Sequence, residues 1–196
     1  MKEIVIATGN PGKVEEFREM LKDKEVELHY LAEWPDIVPP IENGSTFAAN
    51  ARLKASYYAK ATGLICIADD SGLEVMALKG APGVRSARYA GEKATAKECN
   101  DLLIANMKLQ VHRGCRFRCA LAVAAPNGSI MVETDGICDG MLLHEPLGDG
   151  GFGYDPLFWS NELHMGFGEA SPEEKNKVSH RAKAIKKLLV GWRKIK

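Results

Sequence analysis

The spacing of apolar residues predicts three strands and a helix in the first part of the chain. Apolar runs at residues 4–7 and 65–68 indicate buried strands, and the alternating pattern at residues 26–31 indicates another. A helix is predicted after the first strand, because apolar residues recur on one helical face at Val14, Phe17, Met20 and Leu21.

The next predicted helix carries polar residues on its apolar face. Ser45 or Thr46 is its expected N-cap, and Gly63 its C-terminal stop. The residues that share a face are Phe47, Asn50, Ala51 and Lys54. Either this face borders a cleft, or the Lys54 side chain merely extends to water.

Beyond residue 90 the pattern predicts a helix at 94–107, followed by strands at 117–125 and 130–135. The strands are separated by Asn127-Gly128, a strong hairpin signal. A terminal helix follows from Ser179, and its many lysines are interpreted as a solvated face.

Two adjacent acids follow the apolar run at residues 65–68. Asp69 and Asp70, followed by Ser71 and Gly72, suggest that the strand ends here, at the rim of the sheet, and then turns. Ligands of open α/β sheets favour that region, and paired carboxylates are typical ligands of Mg²⁺. The alternative is a surface loop with solvated aspartates.

The turn after the first strand is a candidate anion site. Residues 8–12 precede a helix whose first N–H groups and dipole point at the turn, and Lys13 adds a positive charge. The spacing of a P-loop is missing, and a plain strand–turn–helix connection is the alternative.

The segment at residues 148–156 combines four glycines with Phe152 and Tyr154, and with Asp149 and Asp155. So much glycine is unfavourable in a core, and flexible backbone carrying aromatic rings suits a flat ligand such as a nucleobase. A β-bulge or a hairpin loop is the alternative.

A capping box at Ser171 and Glu174 starts another predicted helix. Lys175 falls in its first turn, where the helix dipole disfavours a cation. We therefore expect Lys175 to face an anion.

Composition narrows the possible partners. Lys and Arg total 26, as do Asp and Glu, which gives no global reason to expect a nucleic-acid polymer or a membrane as partner. The five cysteines contain no CxxC pair, which favours reduced thiols in a cytoplasmic protein without a zinc site. The first residues resemble neither a signal peptide nor a transmembrane helix.

The unusual residues are complementary in chemistry. Glu42 with Asp69 and Asp70 can hold a metal, and Lys13, Lys54 and Lys175 can hold phosphates. The aromatic residues Phe152 and Tyr154 can hold a base. Polar residues can recognise the edge of that base, namely Asp155, His180 and Arg181. A metal-bound nucleoside triphosphate satisfies all of these features.

Six ordered motifs now show a resemblance that covers nearly the whole chain. They are TGNxxK from Thr8, ENGSTFxxNAxxKA from Glu42, ADDSGL from Ala68, GAPGVxSARY from Gly80, GGFGYDP from Gly150 and EEKxxxSHR from Glu173. The sequence resembles the inosine triphosphate pyrophosphatase family, which removes ITP, dITP and XTP from nucleotide pools and so keeps deaminated purines out of DNA and RNA.

The resemblance implies Mg²⁺-dependent hydrolysis between the α- and β-phosphates, giving a nucleoside monophosphate and pyrophosphate. It implies an α/β fold with three α/β/α layers, a long twisted mixed sheet and two lobes with the active site in the cleft between them. Residues 1–196 would form one such domain, and the protein would be a homodimer.

The resemblance also implies residue roles. Asp70 would be the catalytic acid/base and a metal ligand together with Glu42, while Asp69 would point the other way along the strand. The implied triphosphate contacts are Thr8, Gly9, Asn10, Lys13, Lys54 and Ser71. The implied base-side contacts are Phe152, Gly153, Tyr154, Asp155, Lys175, His180 and Arg181. His144 and Asp149 differ from the family pattern near the base-side loop.

Two alternatives are weaker. A pyrophosphatase for modified pyrimidine nucleotides would not need the aromatic loop and the SHR segment, and a non-catalytic nucleotide sensor would not need all three carboxylates. Zero net charge gives little support to an RNA-binding protein.

Overall fold

The computed structural model describes residues 2–192. Its strands are β1 Lys2–Ile6, β2 Val26–Tyr30, β3 Ile65–Val75, β4 Gly114–Ala124, β5 Ile130–Leu142, β6 Phe158–Ser160 and β7 Met165–Gly166. Its α-helices are α1 Pro11–Leu21, α2 Phe47–Thr62, α3 Ala96–Asn106, α4 Pro172–Val178 and α5 His180–Val190. No helix within the described residues combines the length and the apolar character needed to cross a bilayer.

The strands form one mixed sheet in the order β2-β1-β3-β4-β5-β6-β7. Strand β1 pairs in parallel with both β2 and β3, whereas β6 pairs antiparallel with both β5 and β7. The expected α/β class with a mixed sheet is therefore confirmed.

The chain divides into two compact units. Unit 1 contains Met1–Asp70, Cys119–Asp135 and Ala182–Lys196, and unit 2 contains Ser71–Arg118 and Gly136–Arg181. Each unit has a hydrophobic core of its own, as expected when apolar strand faces and helix stripes must both be covered.

The core of unit 1 forms where β1 and β3 meet α1 and α5. Ile4, Ile6 and Ile67 from the strands pack with Phe17, and α5 contributes a stripe from its apolar face. That stripe includes Ala184, Ile185 and Leu188, all buried, which confirms the predicted amphipathic terminal helix, and Trp192 is buried just beyond the end of α5.

The core of unit 2 is aromatic. The ring of Phe117 lies 4.7 Å from that of Phe158 and 6.1 Å from that of Phe167, and the last two are 4.8 Å apart. Strand β3 reaches this core through Leu73 and Val75, both fully buried.

The predicted helix signals are confirmed. The Thr46 side chain caps α2 by accepting from the Ala49 amide, and Gly63 ends that helix in the left-handed conformation with φ 72°. Ser171 and Glu174 form a reciprocal capping box on α4. All five cysteines are buried, and none of them forms a disulfide.

The predicted end of β3 was wrong. The strand does not stop before the two acids but runs through Asp69, Asp70 and Ser71 to Val75. Gly72 was interpreted as part of a turn, whereas it marks a close approach to the segment that contains Gly83 and Ser86.

We expect Gly72→Ala to lower the free energy of unfolding by about 2 kcal/mol or more, because a Cβ there overlaps backbone. It would lie 2.6 Å from the Gly83 carbonyl oxygen and closer still to the Ser86 hydroxyl. Urea unfolding measures the change. The matched control is Gly114→Ala, whose Cβ would meet nothing nearer than 3.9 Å. Equal stability of the two variants would contradict the prediction.

Candidate active site

Asp70 lies in a buried polar cluster of unit 1, in which its partners come from α2. Its side chain accepts from Asn50 Nδ2 at 3.0 Å and from Lys54 Nζ at 3.2 Å. Asn50 and Lys54 are one helical turn apart on α2, which is why the inward face of that helix carries polar residues. The Lys54 side chain is 11% exposed, so it does not extend to water as the alternative interpretation proposed.

Burial and charge oppose each other in this cluster. Burial raises the pKa of Asp70, and this outweighs the opposite effects of Lys54 and Asn50. Burial also disfavours the charged form of Lys54, but the carboxylates of Asp70, Asp69 and Glu42 outweigh it and raise the pKa of this lysine. Lys54 therefore remains a cation at neutral pH.

Glu42 converges on the same lysine. Its Oε2 lies 2.9 Å from Lys54 Nζ, so the ammonium group is shared between Glu42 and Asp70. Asn50 also fixes this segment, because its Oδ1 accepts from the Gly44 amide at 2.8 Å. Two carboxylates that meet at one cation are a donor set that fits Mg²⁺, which needs only one or two protein carboxylates when substrate phosphates complete its shell.

Asp69 has a different partner. It is 1% exposed and its Oδ2 lies 2.9 Å from Lys13 Nζ on α1, whereas Asp70 contacts α2. The two carboxylates thus bind lysines from different helices, as expected for consecutive residues of a strand.

The turn at residues 8–10 is held by its own side chains. Asn10 Oδ1 accepts from the amides of Gly12 at 2.9 Å and of Lys13 at 3.3 Å, and Thr8 Oγ1 accepts from the Asn10 amide. Two of the helix N–H groups predicted to bind an anion therefore bind Asn10 here. Gly9 is exposed, and a Cβ there would contact nothing within 4 Å.

In unit 2, Lys175 faces an anion as expected, and that anion is Asp155. Lys175 Nζ donates to Asp155 Oδ2 at 2.6 Å, and the amide of Phe152 donates to the same oxygen at 2.8 Å. Both charged side chains are less than a tenth exposed. The ammonium also lies 4.5 Å from the centre of the Phe152 ring, in cation–π contact.

The glycine-rich loop makes close backbone contacts. Gly151 has φ +72°, and a Cβ there would lie 2.7 Å from Asp155 Cβ. The Gly150 amide donates to the Gly168 carbonyl at 2.8 Å, so two backbones approach closely. The glycines of this loop allow left-handed backbone conformations and close contacts between backbones.

Tyr154, within that loop, belongs to the core of unit 2. It is 5% exposed, and its hydroxyl donates to the Ser86 carbonyl at 2.8 Å. Burial raises the pKa of this phenol, so it stays neutral. Phe152 is only half-buried, and Gly153 is held through its carbonyl, which accepts from Asn100 Nδ2.

His180 and Arg181 open α5 and are both buried. His180 stacks on Phe117 with ring centres 4.7 Å apart and planes 12° apart. Arg181 is 1% exposed, donates to Ser71 Oγ at 2.8 Å and lies 5.8 Å from the centre of the Phe152 ring. Of the residues predicted to contact the base, Phe152, Asp155, Lys175 and Arg181 are joined by contacts within unit 2.

Three polar residues were not assigned from the sequence. Asn50 was visible as an anomaly on an apolar helix face, and Ser86 lies inside the GAPGVxSARY motif, where its hydroxyl accepts from the Leu73 amide. Asn100 had no signal, because a polar residue on a helix is ordinary.

Another cluster of possible metal ligands lies elsewhere in unit 1. Glu3, Glu27 and His29 place one ligand atom each within 4.8 Å of one another, near the edge strand β2. His29 also bonds Glu33 at 2.8 Å, and that bond raises the pKa of the imidazole. We interpret the group as a surface ion-pair cluster.

The mixed sheet and the buried lysine–carboxylate clusters define an α/β protein with a polar candidate site. The chain belongs to the Ham1 family, whose model matches residues 4–190. Family membership was predicted from the motifs and is confirmed.

Named relatives agree in length as well as in sequence. A dITP/XTP pyrophosphatase of Desulforamulus reducens is 48% identical over 188 residues, which are 95% of this chain and 93% of the relative. One of Geobacillus kaustophilus is 48% identical over 100% of this chain and 96% of its own length. The structure of a HAM1 protein from Coxiella burnetii matches with a TM-score of 0.89 and 37% identity, covering 98% of this chain and 99% of that one.

Proposed function

We propose that this protein is a Mg²⁺-dependent nucleoside triphosphate pyrophosphatase acting on the non-standard purine nucleotides dITP, ITP and XTP. It would hydrolyse the α–β phosphoanhydride to a monophosphate and pyrophosphate, and so keep deaminated purines out of DNA and RNA. The observation that carries the proposal is the cluster of buried Asp70 and Lys54 with the half-buried Glu42, in a chain whose relatives are named dITP/XTP pyrophosphatases.

Asp70 would act as the general base on the attacking water. Its carboxylate is held by Asn50, which fixes its orientation, and burial raises its pKa toward the range useful for proton transfer at neutral pH. The leaving group is pyrophosphate, and Lys54 and Lys13 would offset the negative charge that develops on it. Both lysines must first give up carboxylate partners.

Glu42 and Asp70 would hold the Mg²⁺ ion. When bound, the ion would supply positive charge to the phosphate oxygens beyond what two lysines provide. The remaining triphosphate contacts would be Thr8, Gly9, Asn10 and Ser71, which carry hydroxyl, amide and backbone donors.

The base would be bound by the set around the glycine-rich loop. Phe152 offers a half-buried ring, and Gly153, Tyr154, Asp155 and Lys175 fix its position. Arg181 and His180 would donate to the 6-carbonyl of hypoxanthine or xanthine. The 6-amino group of adenine would face the same donors, and sites of this kind reject such analogues strongly.

Pyrophosphate release across a nucleotide panel tests the activity. We expect kcat/KM for dITP, ITP and XTP to exceed that for dATP by about 10²-fold or more, and to vanish when EDTA replaces Mg²⁺. Faster turnover of dUTP or of modified pyrimidine nucleotides would contradict the proposal and favour a pyrimidine-directed enzyme.

We also propose a cytoplasmic homodimer without a nucleic-acid polymer or a membrane as partner. Five buried cysteines without a disulfide suit a reducing compartment, and the equal numbers of acidic and basic residues leave no global charge for binding a polyanion. Light scattering coupled to size-exclusion chromatography would measure the mass of the particle.

A further inference from the structure

The ammonium group of Lys54 occupies the position between two carboxylates. Its Nζ lies 2.9 Å from Glu42 Oε2 and 3.2 Å from Asp70 Oδ1, and Asn50 holds the other Asp70 oxygen. The side chain comes from α2 and is largely buried, so its charge is tethered there and poorly screened by solvent.

A free divalent cation must therefore compete with a cation that is already built into the protein. If the ion enters while Lys54 keeps its position, two positive groups share one small space. If Lys54 moves away without a new partner, a buried ammonium group loses its carboxylates, which is strongly unfavourable. Either way, the metal alone binds weakly.

A nucleotide alone is disfavoured for a related reason. The ion pairs formed on the two faces of β3 at Asp69 and Asp70 comprise two lysines and three carboxylates, Lys13 with Asp69 and Lys54 with Glu42 and Asp70. Their net charge is negative by one unit, so a triphosphate arriving without a metal meets no excess of positive charge. Metal and nucleotide bind more favourably together than either does alone. The phosphate oxygens accept hydrogen bonds from the Lys54 ammonium group, and the metal binds the carboxylates that Lys54 leaves.

We infer that Lys54 couples the binding of the divalent cation to the binding of the nucleotide, acting as a counter-ion that a phosphate group must draw away before the metal binds tightly. The inference rests on the proposed function for the identity of the two ligands. The coupling is reciprocal: each ligand raises the affinity of the protein for the other by the same factor, and the displacement of Lys54 contributes to that factor.

The decisive measurement is binding of MgCl₂ alone, without nucleotide, by isothermal titration calorimetry. Lys54→Met keeps a side chain of similar length and removes the charge. We expect it to bind Mg²⁺ at least about tenfold more tightly than the unmodified protein. Lys60→Met makes the same change at an exposed lysine of the same helix and is expected to leave Mg²⁺ affinity unchanged. Unchanged or weaker Mg²⁺ binding by Lys54→Met would overturn the inference.

A second measurement uses a dITP analogue with an α,β-imido bridge, which is not hydrolysed. In the unmodified protein Mg²⁺ is expected to raise affinity for this analogue about tenfold or more, and in Lys54→Met that ratio should be clearly smaller. A ratio that persists in the variant contradicts the inference. Should Lys54→Met fail to fold, Lys54→Gln removes the same charge while retaining a hydrogen-bonding group, and the same criteria apply.

These results separate the inference from the proposed function. If the unmodified protein releases no pyrophosphate from dITP, ITP or XTP, the proposed function fails. The Mg²⁺ affinities of the two lysine variants remain measurable in that case. If turnover is normal but Lys54→Met gains no Mg²⁺ affinity, only the inference fails.

Discussion

Replacing Asp70 by asparagine is expected to reduce pyrophosphate release from dITP by about 10²- to 10⁴-fold, the usual contribution of a general base. The amide retains the size of the carboxylate and a hydrogen-bonding oxygen for Asn50 or Lys54, so the fold and the affinity for nucleotide should largely persist. The experiment is a steady-state pyrophosphate assay combined with titration of the α,β-imido analogue. The result should be a fall in kcat with little change in binding.

Asp69→Asn is the matched control, because the two acids are neighbours on one strand and differ in partner. Asp69 contacts Lys13 at 2.9 Å and is 1% exposed, so its replacement should affect stability and phosphate binding more than the chemical step. If Asp69→Asn loses the activity and Asp70→Asn keeps it, the catalytic base has been assigned to the wrong face of β3.

Replacing Asp155 by asparagine is expected to lower the free energy of unfolding by about 3 kcal/mol or more. The change removes the negative charge beside Lys175, and both side chains are almost fully buried. A buried ammonium group without its carboxylate is far less favourable than an exposed one. Urea unfolding followed by circular dichroism measures the loss.

The control for this prediction is Asp101→Asn in α3. Asp101 also lies 2.6 Å from a lysine, Lys97, but the two side chains are 57% and 83% exposed. An exposed pair of this kind contributes about 0–1 kcal/mol, so this variant should be nearly as stable as the unmodified protein. A similar loss in both variants would mean that burial of the Asp155–Lys175 pair does not determine its contribution.

Helix caps and apolar helix faces were predictable from the sequence, because each depends on residues that are close together in the chain. Caps such as Thr46 and Ser171 depend on a few adjacent residues, and the apolar stripe of α5 depends only on helical spacing. The anomaly of Lys54 on an inward face was equally visible. Its explanation needed the structure, because Glu42 and Asp70 come from other segments.

The end of β3 was predicted wrongly because glycine is common both in turns and at close contacts within strands. Gly72 follows two acids and a serine, a composition that also occurs in turns, yet it lies within β3, where a segment distant in sequence packs against it. The close contacts of Gly150 with Gly168 and of Gly151 with Asp155 were also not visible in the sequence. Contacts of this kind depend on partners that no local pattern contains.

The position of Asp70 inside β3 also affects how much conformational entropy is lost when a substrate binds. Asp70 is borne by an eleven-residue strand whose neighbours in the sheet are β1 and β4, not by a loop that must close over a substrate. The backbone freedom of this residue is therefore lost once, when the protein folds, and binding of a substrate need not order it again. If Asp70 is the general base, as proposed, it is already aligned before the nucleotide arrives, and binding energy remains available to displace Lys54 from it.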